Sequence, residues 1–240
     1  LSLVGSEMCI RDSYYLELIR QLHIRTYAYL GEMRASTNPL AYCEGGFLGG
    51  HLKLTDKIKP LLKSATASFG ITALNELQEL YNGKSLVEDG AFAVEVLEHI
   101  NQKISEYKEE DGNLYAIYGT PAETLCYRFA RIDREKYGDI SNVTDKGYYT
   151  NSYHVDVREK IDAFTKFKIE SEFQNKSLGG AISYVEVPNL TNNVEAIEEV
   201  IRFIYDNIQY GEFNTKSDYC QVCGYDGEIM INDNTVSYTH

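Results

Sequence analysis

Residues 115–128 read Tyr115-Ala116-Ile117-Tyr118-Gly119-Thr120-Pro121-Ala122-Glu123-Thr124-Leu125-Cys126-Tyr127-Arg128. Tyr115 to Tyr118 suit a strand, Gly119-Thr120-Pro121 turns the chain, and Ala122 opens a helix that the spacing carries to about residue 137. A strand running through a tight turn into a helix is the repeating unit of α/β architecture. The same turn has a chemical side. The first amides of a helix lack intrahelical partners and carry partial positive charge, so Gly119, Thr120, Ala122, Glu123 and Thr124 together form a candidate anion site. Thr120 is placed as N-cap and Pro121 at the first helical position. A plain helix cap accounts for the same residues, and pattern alone favours it because caps far outnumber phosphate sites.

Outward from this stretch the alternation continues. Residues 14–35 carry Leu18, Leu22, Tyr29 and Met33 at helical spacing, which predicts a helix with a buried stripe. Asn38-Pro39 breaks it, and residues 41–54, with Gly45, Gly46, Gly49 and Gly50, predict a loop at one end of a strand. Residues 67–71 read as a strand. A helix follows over 73–81 and closes on Asn82-Gly83. A longer helix over 91–108 presents Phe92, Val96, Ile100 and Ile104 on one side. Beyond the central stretch, strands are predicted near 153–157 and over 182–187, with a helix over 194–208. From about residue 211 the texture changes to short polar turns around a cysteine pair.

A formal net charge of -13 argues against a chain evolved to coat nucleic acid, because phosphate neutralisation needs clustered Lys and Arg. A nucleotide can still be held locally. No run is long and apolar enough to span a membrane. The cysteines are unevenly spaced and suggest no secreted disulfide framework, so a reducing cytoplasm is the natural setting.

Cys220-Gln221-Val222-Cys223-Gly224 matches half of a zinc ribbon: two thiolates on a tight turn, with glycine relieving the backbone after the second. Tetrahedral zinc takes four ligands, and no second pair follows before residue 240. Two unconnected cysteines are the plainer alternative. A redox pair is disfavoured, since no helix begins there to lower a thiol pKa. Cys43 and Cys126 are candidate nucleophiles or radical carriers, although such cysteines are more often small buried apolar residues. His51 and His154 are candidate ligands or acid–base groups, or structural histidines whose hydrogen bonds are satisfied.

Both ends read as foreign. Met8-Cys9-Ile10-Arg11-Asp12 can be encoded by ATG TGT ATA AGA GAC, whose reverse complement translates as Val236-Ser237-Tyr238-Thr239-His240. One inverted DNA sequence at each end of a gene fragment gives this match. The expected division is therefore 1–13 and 236–240 as adapter-derived ends, 14–210 as an α/β segment and 211–235 as half a zinc ribbon, with natural protein missing on both sides.

Three segments together resemble the anaerobic (class III) ribonucleoside-triphosphate reductases of the glycyl-radical enzyme family. They are Tyr118-Gly119-Thr120-Pro121-Ala122-Glu123-Thr124-Leu125-Cys126, the run from Val143-Thr144-Asp145-Lys146-Gly147 through Tyr148-Tyr149-Thr150-Asn151-Ser152-Tyr153-His154, and Cys220-Gln221-Val222-Cys223-Gly224. Asn38-Pro39, Glu44-Gly45-Gly46 and Ser68-Phe69-Gly70-Ile71 support them. The resemblance implies the later half of a ten-stranded α/β barrel, followed by a truncated zinc ribbon, in a cytoplasmic homodimer. It also implies a glycyl radical installed by a radical S-adenosylmethionine activase, a thiyl radical that attacks the ribose, and formate or a thiol system as reductant. By the same resemblance the radical glycine lies beyond Asn234 and the thiyl cysteine before Tyr14, so Cys43 is not the radical cysteine and the chain alone is inactive. The resemblance also places the effector domain common at the family's N-terminus outside these 240 residues. The resemblance moves the 119–124 turn from a bare cap toward substrate phosphate and assigns zinc to Cys220 and Cys223. Two alternatives remain at this point: a different glycyl-radical enzyme, and a non-catalytic zinc-ribbon module on an α/β domain.

Overall fold

The computed structural model describes residues 2–47, 49–215, 218–227, 230–232 and 237–239, with side chains described over 13–47, 49–215 and 220–225. The chain is mixed α/β and divides into two compact units, each drawn from separated stretches of sequence. The expected junction between residues 235 and 236 lies outside the described residues. Among the described residues no helix is long and apolar enough to cross a membrane.

The first unit comprises residues 1–71, 91–118 and 176–180. Its long helix α1 (Ser2–Gly31) does not bury the predicted stripe: Leu18, Leu22 and Tyr29 are exposed. The packed face is instead Leu16, Arg20, His23 and Tyr27, four residues at helical spacing. Arg20 grips Asp111 with two nitrogens, at 2.8 and 2.6 Å, and its guanidinium lies 4.6 Å from the centre of the Tyr107 ring. His23 sits edge-on to Phe69 at 5.2 Å, and the Tyr27 hydroxyl donates to the Ala65 carbonyl at 2.9 Å. Three of the four packing residues carry polar tips, so counting apolar letters selected the wrong face. The helix also stops at Gly31, ahead of the predicted 35. A short helix α2 (Pro39–Tyr42), capped by Asn38, occupies part of the segment read as loop.

Strand β1 (Thr66–Ile71) pairs with β2 (Leu114–Gly119) in a two-stranded sheet. The second unit contributes helix α3 (Leu74–Asn82), closed by Gly83 in the left-handed conformation (φ 75°) as the Asn-Gly signal predicts. Helix α4 (Ala91–Asp111), in the first unit, buries Ala93, Leu97, Ile100, Ile104 and Tyr107, so the buried face is rotated one position from the predicted Phe92 and Val96. The reason is Tyr107 and Ala93: the aromatic at the C-terminal end and the small residue at the N-terminal end set the facing line.

The second unit comprises residues 72–90, 119–175 and 181–240. Helix α5 (Glu123–Tyr137) follows the central turn, and α6 (Ala163–Gln174), which the sequence reading missed, is capped by Asp162, whose carboxylate accepts from the Phe164 and Thr165 amides. Strand β3 (Ser183–Val187), helix α7 (Val194–Asn207) and strand β4 (Gly211–Thr215) form a βαβ unit, with β3 and β4 parallel and Ser183 opposite Gly211. Phe167, Val185, Val187, Val200 and Ile208 form its core. Buried Gln174 ties α6 to this unit: its amide nitrogen donates to Ser183 Oγ at 2.9 Å and to the Tyr210 carbonyl at 3.0 Å, and its oxygen accepts from the Gln209 amide at 3.0 Å. β4 stands where polar turns were expected, because its partner strand supplies hydrogen bonds that local sequence does not announce. The short pairs β5 (Asp218–Tyr219) with β6 (Asp226–Gly227), and β7 (Met230–Asn232) with β8 (Ser237–Thr239), are antiparallel.

The predicted strand at 153–157 is absent; these residues are turns and irregular chain. Side chains hold this backbone in place of a neighbouring strand. The Val155 amide donates to the Glu170 carboxylate at 3.0 Å, and the Arg158 amide donates to Asp156 at 2.9 Å.

Candidate functional site

β2 delivers the chain into the turn at Gly119, which is buried where a side chain does not fit: an added Cβ meets the Ala181 Cβ at 3.0 Å and the Tyr153 hydroxyl at 3.4 Å. Thr120 is not the N-cap. The cap is Ala122 (φ -139°, ψ 46°), with no side-chain cap bond, and the first helical residue is Glu123 rather than Pro121. Ala122 is held from outside the helix, as the Asn151 side-chain oxygen accepts from its amide at 2.8 Å. The first helical hydrogen bond of α5 runs from the Cys126 amide to the Ala122 carbonyl, at 2.8 Å. The amides of Glu123, Thr124 and Leu125 therefore have no helical acceptor.

Cys126 is buried and hydrogen-bonded as a thiol. Its sulfur lies 2.9 Å from Thr72 Oγ1 and donates to Asn151 Oδ1 at 3.2 Å. Burial pushes the thiol pKa up, against a smaller opposite effect of Thr72, which suits a structural thiol rather than a nucleophile. The bond network continues through the backbone: the Ala73 and Leu74 amides donate to the Thr150 and Ser152 carbonyls at 2.9 and 3.0 Å. Ala73 (φ 60°) and Ser152 (φ 43°) hold left-handed conformations in this seam, a strain that its packing must sustain.

Behind the seam lies a charge cluster that sequence reading did not single out. The side chain of Lys146 is fully buried and contacts both Glu76 and, at 2.5 Å, Asp156. Glu76 also accepts from the Thr150 amide and hydroxyl, at 3.2 and 2.8 Å. Burial opposes the ionisation of Asp156, but the hydrogen bonds from Lys146 and Arg158 outweigh it and hold its pKa at about 2. The Tyr148 hydroxyl donates to Asp156 at 3.1 Å, and burial beside that carboxylate pushes its pKa up to about 12. In the sequence, Lys146, Tyr148 and Thr150 stand in the 143–154 run that carries the family resemblance, while Glu76 and Asp156 lie outside it.

This network borders a cavity of about 730 Å³, whose lining includes Glu123, Asn151, His154, Asp156, Lys166 and Tyr184. Of the five residues assigned to the anion site, Glu123 is the one that lines it; Thr124 is exposed next to it, Ala122 is half-buried under Asn151, and Thr120 is half-buried in the turn. On the wall, fully buried Glu170 forms an ion pair with Lys166 at 2.9 Å and stands 3.3 Å from His154 Nδ1. Burial opposes the charge on Glu170, yet His154 and Lys166 outweigh it and its pKa is lowered.

His51 is exposed, with Nδ1 3.4 Å from the Cys43 carbonyl, and Cys43 is half-buried nearby. Cys220 and Cys223 lie on a turn in which the Gly224 amide donates to the Cys220 carbonyl and the Cys220 amide to the Tyr225 carbonyl, both at 2.8 Å. Backbone amides of Cys223 and Val222, and then the Cys223 thiol, hydrogen-bond to the Cys220 sulfur and lower its pKa. Amides directed at a sulfur favour its deprotonated form, the form that binds metal, so the chemistry of this turn is compatible with Cys220 and Cys223 as two zinc ligands. Among the described residues no group of three or more His, Cys, Asp or Glu is placed to hold a metal ion.

The family model for anaerobic ribonucleoside-triphosphate reductase matches residues 8–235. The Haemophilus influenzae anaerobic ribonucleoside-triphosphate reductase is 34% identical over 220 residues, covering 89% of this chain and 31% of its own length. The enterobacteria phage T4 enzyme is 37% identical over 204 residues, covering 84% and 32%. The chain thus spans about a third of the length of the curated relatives it matches. A solved anaerobic ribonucleotide reductase superposes with a TM-score of 0.67 at 20% identity, covering 92% of this chain and 35% of that one. The Thermotoga maritima enzyme with dATP bound in the specificity site gives 0.58 at 20% identity, covering 93% and 39%. These structural likenesses carry the fold, and the match to the family model carries the kinship: the chain belongs to the anaerobic ribonucleoside-triphosphate reductase family.

Proposed function

We propose that the chain is part of a reductase that converts ribonucleoside triphosphates to 2'-deoxyribonucleoside triphosphates, and that the N-terminal turn of α5 receives the substrate's phosphates. The observation that carries this reading is the position of that turn: three amides without helical acceptors, at Glu123, Thr124 and Leu125, beside a cavity of about 730 Å³. Free amides at a helix N-terminus favour an anion through both hydrogen bonding and the helix dipole, and a cavity of this size accepts a molecule as large as a nucleotide. Asn151 contributes by fixing the Ala122 amide, which orients the turn.

In this reading the segment belongs to a ten-stranded barrel in a cytoplasmic homodimer. The glycyl radical, the activase that installs it, the thiyl cysteine and the formate or thiol reductant act outside the residues described above. Cys220 and Cys223 would hold zinc with two further ligands, and the metal would supply structural cross-linking of the tail. The family match favours this over a non-catalytic zinc-ribbon module or a different glycyl-radical enzyme.

The test uses one backbone amide. Proline fits the first helical position, where the missing amide breaks no helical bond. Glu123→Pro should weaken binding of cytidine triphosphate by roughly tenfold to a hundredfold relative to Glu123→Ala, since a hydrogen bond to a charged group contributes about 1.5–3 kcal/mol. Equal binding by the two variants would remove the amide from the phosphate site.

A further inference from the structure

The same cavity has a second feature that the phosphate reading does not use. His154 lines it from the wall opposite in character to the α5 turn: a ring backed by a fully buried carboxylate. Glu170 Oε2 and His154 Nδ1 are both buried without a well-aligned hydrogen-bond partner, and they stand 3.3 Å apart. A buried carboxylate oxygen left in this position favours a proton on the facing nitrogen. The other Glu170 oxygen accepts from the Val155 amide at 3.0 Å and pairs with Lys166 at 2.9 Å, so Lys166 already offsets the carboxylate charge. In the tautomer that places the proton on Nδ1, toward Glu170, the lone pair lies on Nε2 at the far side of the ring. The rest of the lining is rich in acceptors, including Glu123, Glu159, Glu186 and the Asn214 side chain, with Lys166 directed to Glu170 and to the Tyr184 carbonyl at 2.5 Å. A wall of acceptors and tyrosines suits a ligand that donates hydrogen bonds through hydroxyl groups.

We propose that His154, held in one tautomer by Glu170, accepts a hydrogen bond through Nε2 from a hydroxyl of the ligand's sugar, and so distinguishes hydroxylated from dehydroxylated nucleotides. This deepens the reading in which the cavity beside α5 takes a nucleoside triphosphate, and it rests on that reading. Glu170 is the positioning residue; His154 touches the ligand.

The experiment measures binding of cytidine triphosphate, 2',3'-dideoxycytidine triphosphate and inorganic triphosphate to the full 240-residue chain and to His154→Phe. The expected result is about tenfold tighter binding of the hydroxylated nucleotide by the unaltered chain, within the range of one buried hydrogen bond, and a difference below about twofold in His154→Phe. The ring resonances of His154 in the unaltered chain should move with cytidine triphosphate and not with its dideoxy analogue, a readout that does not depend on the variant folding. Equal binding of the two nucleotides by the unaltered chain, or discrimination that survives in His154→Phe, overturns the role of His154 while leaving triphosphate binding in place. Failure of all three ligands to bind overturns the phosphate reading and this proposal together.

Discussion

The side-chain oxygen of Asn151 accepts from both the Ala122 amide, at 2.8 Å, and the Cys126 thiol, at 3.2 Å, so one residue fastens the first turn of α5 at two points. The cap that the sequence places at Thr120 is absent, and the turn is fastened by a residue 29 positions beyond Ala122.

Asn151→Ala leaves the Ala122 amide and the Cys126 thiol without this acceptor. Loss of partners for buried donors costs about 1–3 kcal/mol. The urea midpoint of the chain should fall accordingly, and Asn151→Asp, which retains an acceptor oxygen, should recover part of the loss. An unchanged midpoint in Asn151→Ala would show that the two bonds do not hold the turn.

Lys146→Met leaves Glu76 and Asp156 in a buried site, 2% and 4% exposed, without the cation they share, while Arg158 remains on Asp156. Breaking a buried pair in this way costs about 3–5 kcal/mol. The pH dependence follows from Asp156. Its folded pKa of about 2 lies below the ordinary carboxylate value. Its contribution, on the order of 2 kcal/mol, is complete above about pH 4 and is lost as the pH falls through 2. Acid titration of unfolding should show this loss in the unaltered chain and a smaller one in Lys146→Met.

Gly179→Ala places a Cβ 2.5 Å from the Ile117 carbonyl oxygen, a backbone atom that cannot rotate aside. Overpacking of this kind costs about 1–3 kcal/mol. Gly83→Ala meets no atom within 4 Å but forces alanine into φ 75°, so its loss, about 1 kcal/mol, comes from the backbone alone. Thermal unfolding of the two variants should rank Gly179→Ala as the more damaging.

How much of this was legible differs from element to element. β1, α3, β2, α5, β3 and α7 follow from local pattern, because their apolar spacing and Gly or Asn stops agree with their packing. The helix face of α1 was misread because Arg20, His23 and Tyr27 pack through polar tips that periodicity counts as solvent-facing. The strand expected at 153–157 failed for the opposite reason: its apolar residues are real, but Glu170 and Asp156 satisfy its backbone. At the site, Glu123 and the free amides were legible from the Gly-Thr-Pro turn. The contacts of Asn151, Lys146 and His154 were not, since their partners lie 10 to 70 positions away in sequence.

The two cysteines make a prediction about metal. Cys220 and Cys223 alone are half of a tetrahedral set, so the 240-residue chain should retain well under one zinc per chain after dialysis, and Cys220→Ser should remove what remains. One tightly held zinc per chain, unaffected by Cys220→Ser, would require other ligands.

The central claim is that the α5 turn receives phosphate, and amide hydrogen exchange measures it most directly. Cytidine triphosphate added to the chain should slow exchange at the amides of Glu123, Thr124 and Leu125 while leaving the far end of α5, near Tyr137, unchanged. Exchange at those three amides that is identical with and without saturating nucleotide would contradict the claim.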